Sequence, residues 1–110
     1  MKLFSVENIP GQEYQTIGLV KGSIVQSKHA GSDITAAIKK IVGSDTKQYS
    51  EMLSQAREEA TKRMITEAET FGADGIVGVR FCSSNINDGT TEIIAFGTAV
   101  KFSNNKKTLL

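Results

Sequence analysis

Apolar positions recur with a period of two at both ends of this chain and with a helical period in its middle. Residues 14–27 (YQTIGLVKGSIVQS) place Ile17, Leu19, Lys21, Ser23 and Val25 on one face of a predicted strand, and Gly18, Val20, Gly22, Ile24 and Gln26 on the other. Gly18 and Gly22 bring no side chain to pack, which marks a bend, a bulge or the close approach of another backbone. Two more strands are predicted at 75–83 and 91–103. In the first, alternation groups Val77, Val79 and Phe81 against Ile76, Gly78, Arg80 and Cys82. In the second, it groups Ile94, Phe96, Thr98, Val100 and Phe102 against Ile93, Ala95, Gly97, Ala99 and Lys101. Residues 85–89 supply the turn between them, with Asp88-Gly89 as its hairpin signal. A short strand is predicted within residues 2–8, closed by the turn Asn8-Ile9-Pro10-Gly11.

The middle of the chain changes period. Ile34, Ala37, Ile38, Ile41 and Val42 form a helical stripe over 33–42, with Ser32 as N-cap and Gly43 just past the end. A longer helix is predicted over 47–71, with Tyr49, Met52, Leu53, Ala56, Ala60, Met64, Ala68 and Phe71 on one stripe and Ile65 at its border. Glu51, Arg57, Glu58, Lys62 and Glu69 occupy the opposite face, where Glu58 and Lys62 are spaced for an ion pair one turn apart. Gly72 fits the position after its last turn.

The predicted order is ββααββ: an α+β two-layer sandwich, one antiparallel sheet covered on one face by two helices. A single domain over 1–103 is expected, followed by a flexible tail at 104–110. Both faces of the long strands are apolar or small, and helices on one side leave the second face to be buried against another copy. Gly97 is one small residue predicted to sit at such an interface.

Composition narrows the function. Thirteen basic residues against twelve acidic ones give no basic patch for nucleic acid. No window approaches the roughly 20 apolar residues of a membrane helix, and the N-terminal residues lack a signal-peptide core, so a cytoplasmic protein is expected. One cysteine, Cys82, excludes an internal disulfide.

The segments YQTIGLVKGSIV, DITAAIKKIVG, YSEMLSQAREEATKRMITEA, GADGIVGVRF and FGTAVKF, in that order over residues 14–102, resemble the YbjQ-like family, whose members are labelled heavy-metal-binding. The resemblance implies a dodecin-like subunit that assembles into a ring-shaped homopentamer, and it implies no enzymatic activity and no transferable metal ligands. The chain departs from the family pattern at residues 26–31 (QSKHAG) and 44–46 (SDT), both of them loops.

The chemistry open to the chain is sparse. A structural zinc site takes four Cys or His ligands, and this chain has one of each, His29 and Cys82. A soft metal therefore requires several copies of His29 or Cys82 to converge across subunits. The bland reading makes His29 an exposed loop residue and Cys82 a half-buried strand residue. Catalysis by Cys82 would need a base, for which His29 is the candidate, with Arg80 two positions away on the same strand face. Lys28, His29, Gly31 and Ser32 precede a predicted helix N-terminus, where outward N–H groups favour a small anion; an ordinary helix cap is the competing reading. Gly72, Gly75 and Gly78 lead into a strand and so do not form a dinucleotide loop. The leading expectation is a ring-forming oligomer of unnamed function that takes a small ligand or metal ion at subunit interfaces. The alternatives are an enzyme with a composite interface site of His29, Arg80 and Cys82, and a purely structural oligomer.

Overall fold

The computed structural model describes residues 1–27, 46–87 and 89–103. They form five elements: β1 (Lys2–Leu3), β2 (Tyr14–Ser27), α1 (Thr46–Thr70), β3 (Gly75–Asn87) and β4 (Thr90–Phe102). The helix predicted over 33–42, its caps Ser32 and Gly43, and the tail at 104–110 lie outside the described residues.

The α+β class holds, with a four-stranded sheet in the order β1-β3-β4-β2 and one helix among the described residues. The sheet is not wholly antiparallel. β2 and β3 both run antiparallel to β4, but β1 pairs parallel to β3, through Lys2↔Gly75 and Leu3↔Ile76. The predicted first strand shrinks to two residues, because the chain then bends and hands its backbone bonds to a bulge in β3. Gly78 N–H donates to the Val6 carbonyl at 2.8 Å and Val79 N–H to the Phe4 carbonyl at 2.9 Å. The following turn is built as its sequence indicates: Pro10 and Gly11 (φ 79°) occupy the corner, and Gln12 N–H donates to the Ile9 carbonyl.

Helix α1 lies on the face carrying Val20, Gly22, Ile24, Ile93, Ala95, Gly97 and Ala99, all buried. Its stripe of Met52, Ala56, Ala60, Met64 and Ala68 is buried against them. The residues are small for a geometric reason. A methyl added at Gly22 would run into the Ala60 carbonyl and the Met64 amide, so helix backbone rests on strand backbone there. The helix ends in a Schellman motif: Ala73 N–H donates to the Ala68 carbonyl, Gly72 N–H to the Glu69 carbonyl, and Gly72 has φ 73°. Phe71 falls in this cap and is exposed, contrary to its predicted place on the core stripe. Among the described residues the ion pair one turn apart on α1 joins Glu59 to Arg63 at 3.3 Å, rather than Glu58 to Lys62.

Besides a register shift near the hairpin end between Asn85 and Asn87, two bulges decide which side chains share a layer. In β2 the register shifts between Thr16 and Gly18, and beyond it the predicted alternation is met. In β3 the shift falls between Val77 and Arg80, with Gly78 at φ 63°. Alternation read straight through this point groups Val77 with Phe81. The extra residue separates them. Val77 stands opposite Thr98 on the face away from the helix, whereas Phe81 stands opposite Ala95 on the helix side.

That second face is covered only in part. At one end Ile9, Val77 and Val100 are buried, with Phe4, Tyr14 and Phe102 packed on them, so the N-terminal arm closes a small second core. Tyr14 Oη fixes the arm by donating to the Glu7 carbonyl at 2.6 Å. Farther along, Leu19 is 68% exposed and Val25 37% exposed, beside the partly buried Ile94 and Phe96.

Candidate functional site

The β3–β4 hairpin reaches past α1 and creates a groove on the helix side. The strands are longer than their alternation suggested, because β3 continues to Asn87 and pairs it with Thr90. Asp88 lies outside the described residues, and Gly89 has φ 79°. Since α1 is seated over β2 and β4, among the described residues the upper half of β3 has no helix above it, and every residue from Phe81 to Ile86 is exposed. Leu53 and Arg57 from the helix, with Phe81, Ser83, Thr91 and Ile93 from the hairpin, line a groove of about 300 Å³. Arg57 and Phe81 also border a shallower depression toward Thr61 and Lys62. Thr91 Oγ1 donates to Asn85 Oδ1 at 3.1 Å, which ties the two strands at the groove wall. The groove presents an aromatic ring, two aliphatic side chains and one guanidinium. That set suits a small molecule with a flat apolar body and an acceptor or anionic group.

Of the residues singled out from sequence, Arg80 and Cys82 are among the described residues. Lys28, His29, Gly31 and Ser32 lie outside the described residues. Cys82 stands opposite Ile94, on the face away from α1 by its register, is exposed rather than half-buried, and still borders the groove. Arg80 shares that face, as predicted, and its Nη1 donates to the carbonyls of Ser5 at 2.8 Å and Val79 at 3.0 Å. Arg80 therefore ties the N-terminal arm to the β3 bulge, and no nucleophile–base pair is formed by the described residues. Nor do three or more His, Cys, Asp or Glu side chains converge as a metal site among them. Sequence reasoning missed the groove, because the parity change at Gly78 is what sends Phe81 to the helix side. The positive-φ requirement of a glycine inside a strand was the available signal.

Gly97, expected at a subunit interface, is instead in the core. A Cβ there would lie 2.7 Å from Ile76 Cγ2 and 3.0 Å from the Val77 carbonyl. Gln26 is also buried on the helix face, 4% exposed, and its Oε1 has no hydrogen-bond partner among the described residues.

A profile of the YbjQ family, described as "Putative heavy-metal-binding", matches residues 1–103. The chain belongs to this family. Relatives at about half identity span nearly its whole length. A UPF0145 protein of Helicobacter hepaticus is 54% identical over 92% of this chain and 97% of its own length. A UPF0145 protein of Thermosipho africanus is 51% identical, over 92% of this chain and 94% of its own. A crystal structure of a protein of unknown function in the DUF74 family, from Pediococcus pentosaceus, superposes with a TM-score of 0.66 over 94% of this chain and 98% of that one. At 17% identity the likeness is one of fold. None of these names states a reaction, so the function of this YbjQ-family chain is not given by its relatives. The metal in the family description finds no ready ligand set among the described residues. No helix among them is long and apolar enough to cross a membrane.

Proposed function

We infer that the chain works as a ring-forming homo-oligomer, a pentamer by its family resemblance, that takes a small ligand beside its subunit contacts instead of catalysing a reaction. One observation carries this reading. The sheet face away from α1 is capped at one end by the N-terminal arm and presents Leu19, 68% exposed, and Val25, 37% exposed, at the other. Leu19 and Val25 flank Lys21 and Ser23 on this face, and exposed apolar side chains in that setting fit a surface that is buried by another copy. Leu19→Glu puts a charge in the strip without entering the core. Native mass spectrometry and light scattering of wild type should give a multiple of the 11.9 kDa chain, and Leu19→Glu should shift it to smaller species. A monomeric wild type at micromolar concentration overturns the reading.

The groove at Phe81 supports a second component, a ligand with an apolar body held on Leu53, Phe81 and Ile93 and an anionic group at Arg57. Mass spectrometry of protein from its own host should retain that ligand in wild type and lose it in Arg57→Ala. Host-purified wild type that carries no ligand mass removes this component and leaves a structural oligomer.

A further inference from the structure

Among the described residues β2 is an edge strand, and side chains of α1 reach its outer edge. Lys21 N–H donates to Glu67 Oε1 at 2.8 Å, and the Ser23 carbonyl accepts from Arg63 Nη1 at 3.0 Å. Glu67 and Arg63 are one helical turn apart, and Lys21 and Ser23 are two strand positions apart, so the carboxylate and guanidinium take the places of a neighbouring strand's carbonyl and amide. Arg63 is steadied by Glu59, 3.3 Å from its Nε. The close seating of α1 over Gly22 is what brings these side chains to the edge.

We propose that Glu67 and Arg63 guard the β2 edge against strand addition by a second copy of this chain. An unpaired edge is a template for another strand. The complementary strand is already in the molecule. The stretch Phe81–Ile86 of β3 is exposed, and among the described residues its only strand neighbour is β4. β2 and β3 form opposite sides of one sheet over this stretch, so pairing β3 of one copy with β2 of the next joins unlike surfaces. Such a contact repeats without limit unless its rotation closes. The guard leaves assembly to proceed through the sheet face. This inference does not depend on whether the ring forms, because it concerns the difference between a variant and wild type.

The test is Arg63→Ala/Glu67→Ala, which preserves net charge. Lys62→Ala/Glu69→Ala is the matched control, altering exposed helix charges away from the edge. The edge-opened variant should gain high-mass, thioflavin-positive material over days at micromolar concentration, while the control keeps the wild-type mass. In freshly prepared edge-opened protein, the Lys21 amide should exchange with solvent at least tenfold faster than in wild type. Glu67→Gln, whose amide oxygen still accepts from Lys21, should stay at wild-type mass. Should the double variant fail to fold by circular dichroism, Glu67→Ala, which keeps Arg63 and its partner Glu59, carries the same comparison. Unchanged mass and unchanged Lys21 exchange in a folded edge-opened variant overturn the proposal.

Discussion

Gly22 and Ala60 meet backbone to backbone: the strand glycine lies under the helix carbonyl with no room for a methyl between them. The contact fixes how deep α1 sits, and with it the reach of Arg63 and Glu67 to the strand edge. Gly22→Ala should therefore cost roughly 1–3 kcal/mol, the usual range for overpacking a core. Urea denaturation at fixed protein concentration measures it, the concentration being held because association adds to apparent stability. A variant as stable as wild type would mean that the helix lifts off the sheet freely.

Asp74 holds the start of β3 to the end of β4. Its Oδ2 accepts the Phe102 N–H at 2.8 Å, and Lys101 Nζ lies 3.6 Å from Oδ1. The ion pair is well exposed and contributes little. The amide bond is partly buried, and Asp74→Ala should lose about 1–3 kcal/mol by leaving that N–H without its acceptor. Asp74→Asn, which keeps an oxygen there, should lose less. Equal losses in the two variants, read from urea midpoints, would assign the effect to charge.

Tight metal binding, where it occurs, should require the oligomer and at least one of His29 and Cys82. No described cluster of ligands exists within one subunit, and Cys82 is exposed on the sheet face where copies would meet. Calorimetry with Zn²⁺ and Cu²⁺ on wild type, Cys82→Ser and the Leu19→Glu variant checks this. One tightly bound metal per subunit in a monomeric variant would refute it.

The segment Lys28, His29, Gly31 and Ser32 should respond to phosphate if its sequence acts as an anion-binding helix start. Amide shifts at 29–34 on phosphate titration, abolished by Lys28→Ala/His29→Ala, are the expected result. Unmoved amides at tens of millimolar phosphate would reduce the segment to a cap.

The long elements were legible because each keeps one period. The burial of Ile93, Ala95, Gly97 and Ala99 follows their alternation, and that of Met52, Ala56, Ala60, Met64 and Ala68 follows the helical stripe. Gly72 ended the helix as a left-handed cap, as its position indicated. What could not be read was non-local. Nothing in residues 2–8 states that they pair with β3 instead of β2. The interface role expected for Gly97 failed because alternation separates two faces without saying which one the helix covers. The groove at Phe81 was hidden because a one-residue bulge is invisible to a period-two count that runs through it.

That bulge divides β3 into two strands in all but connectivity. Below Gly78, Val77 packs with the N-terminal arm while Ile76 enters the helix-side core, and above Val79, Phe81 stands on the helix side. Val77 and Phe81 therefore belong to separate packing environments despite their closeness in sequence, and losses from truncating each should simply add. The strand can change its upper half, from Phe81 onward, without disturbing the small core that anchors the lower half.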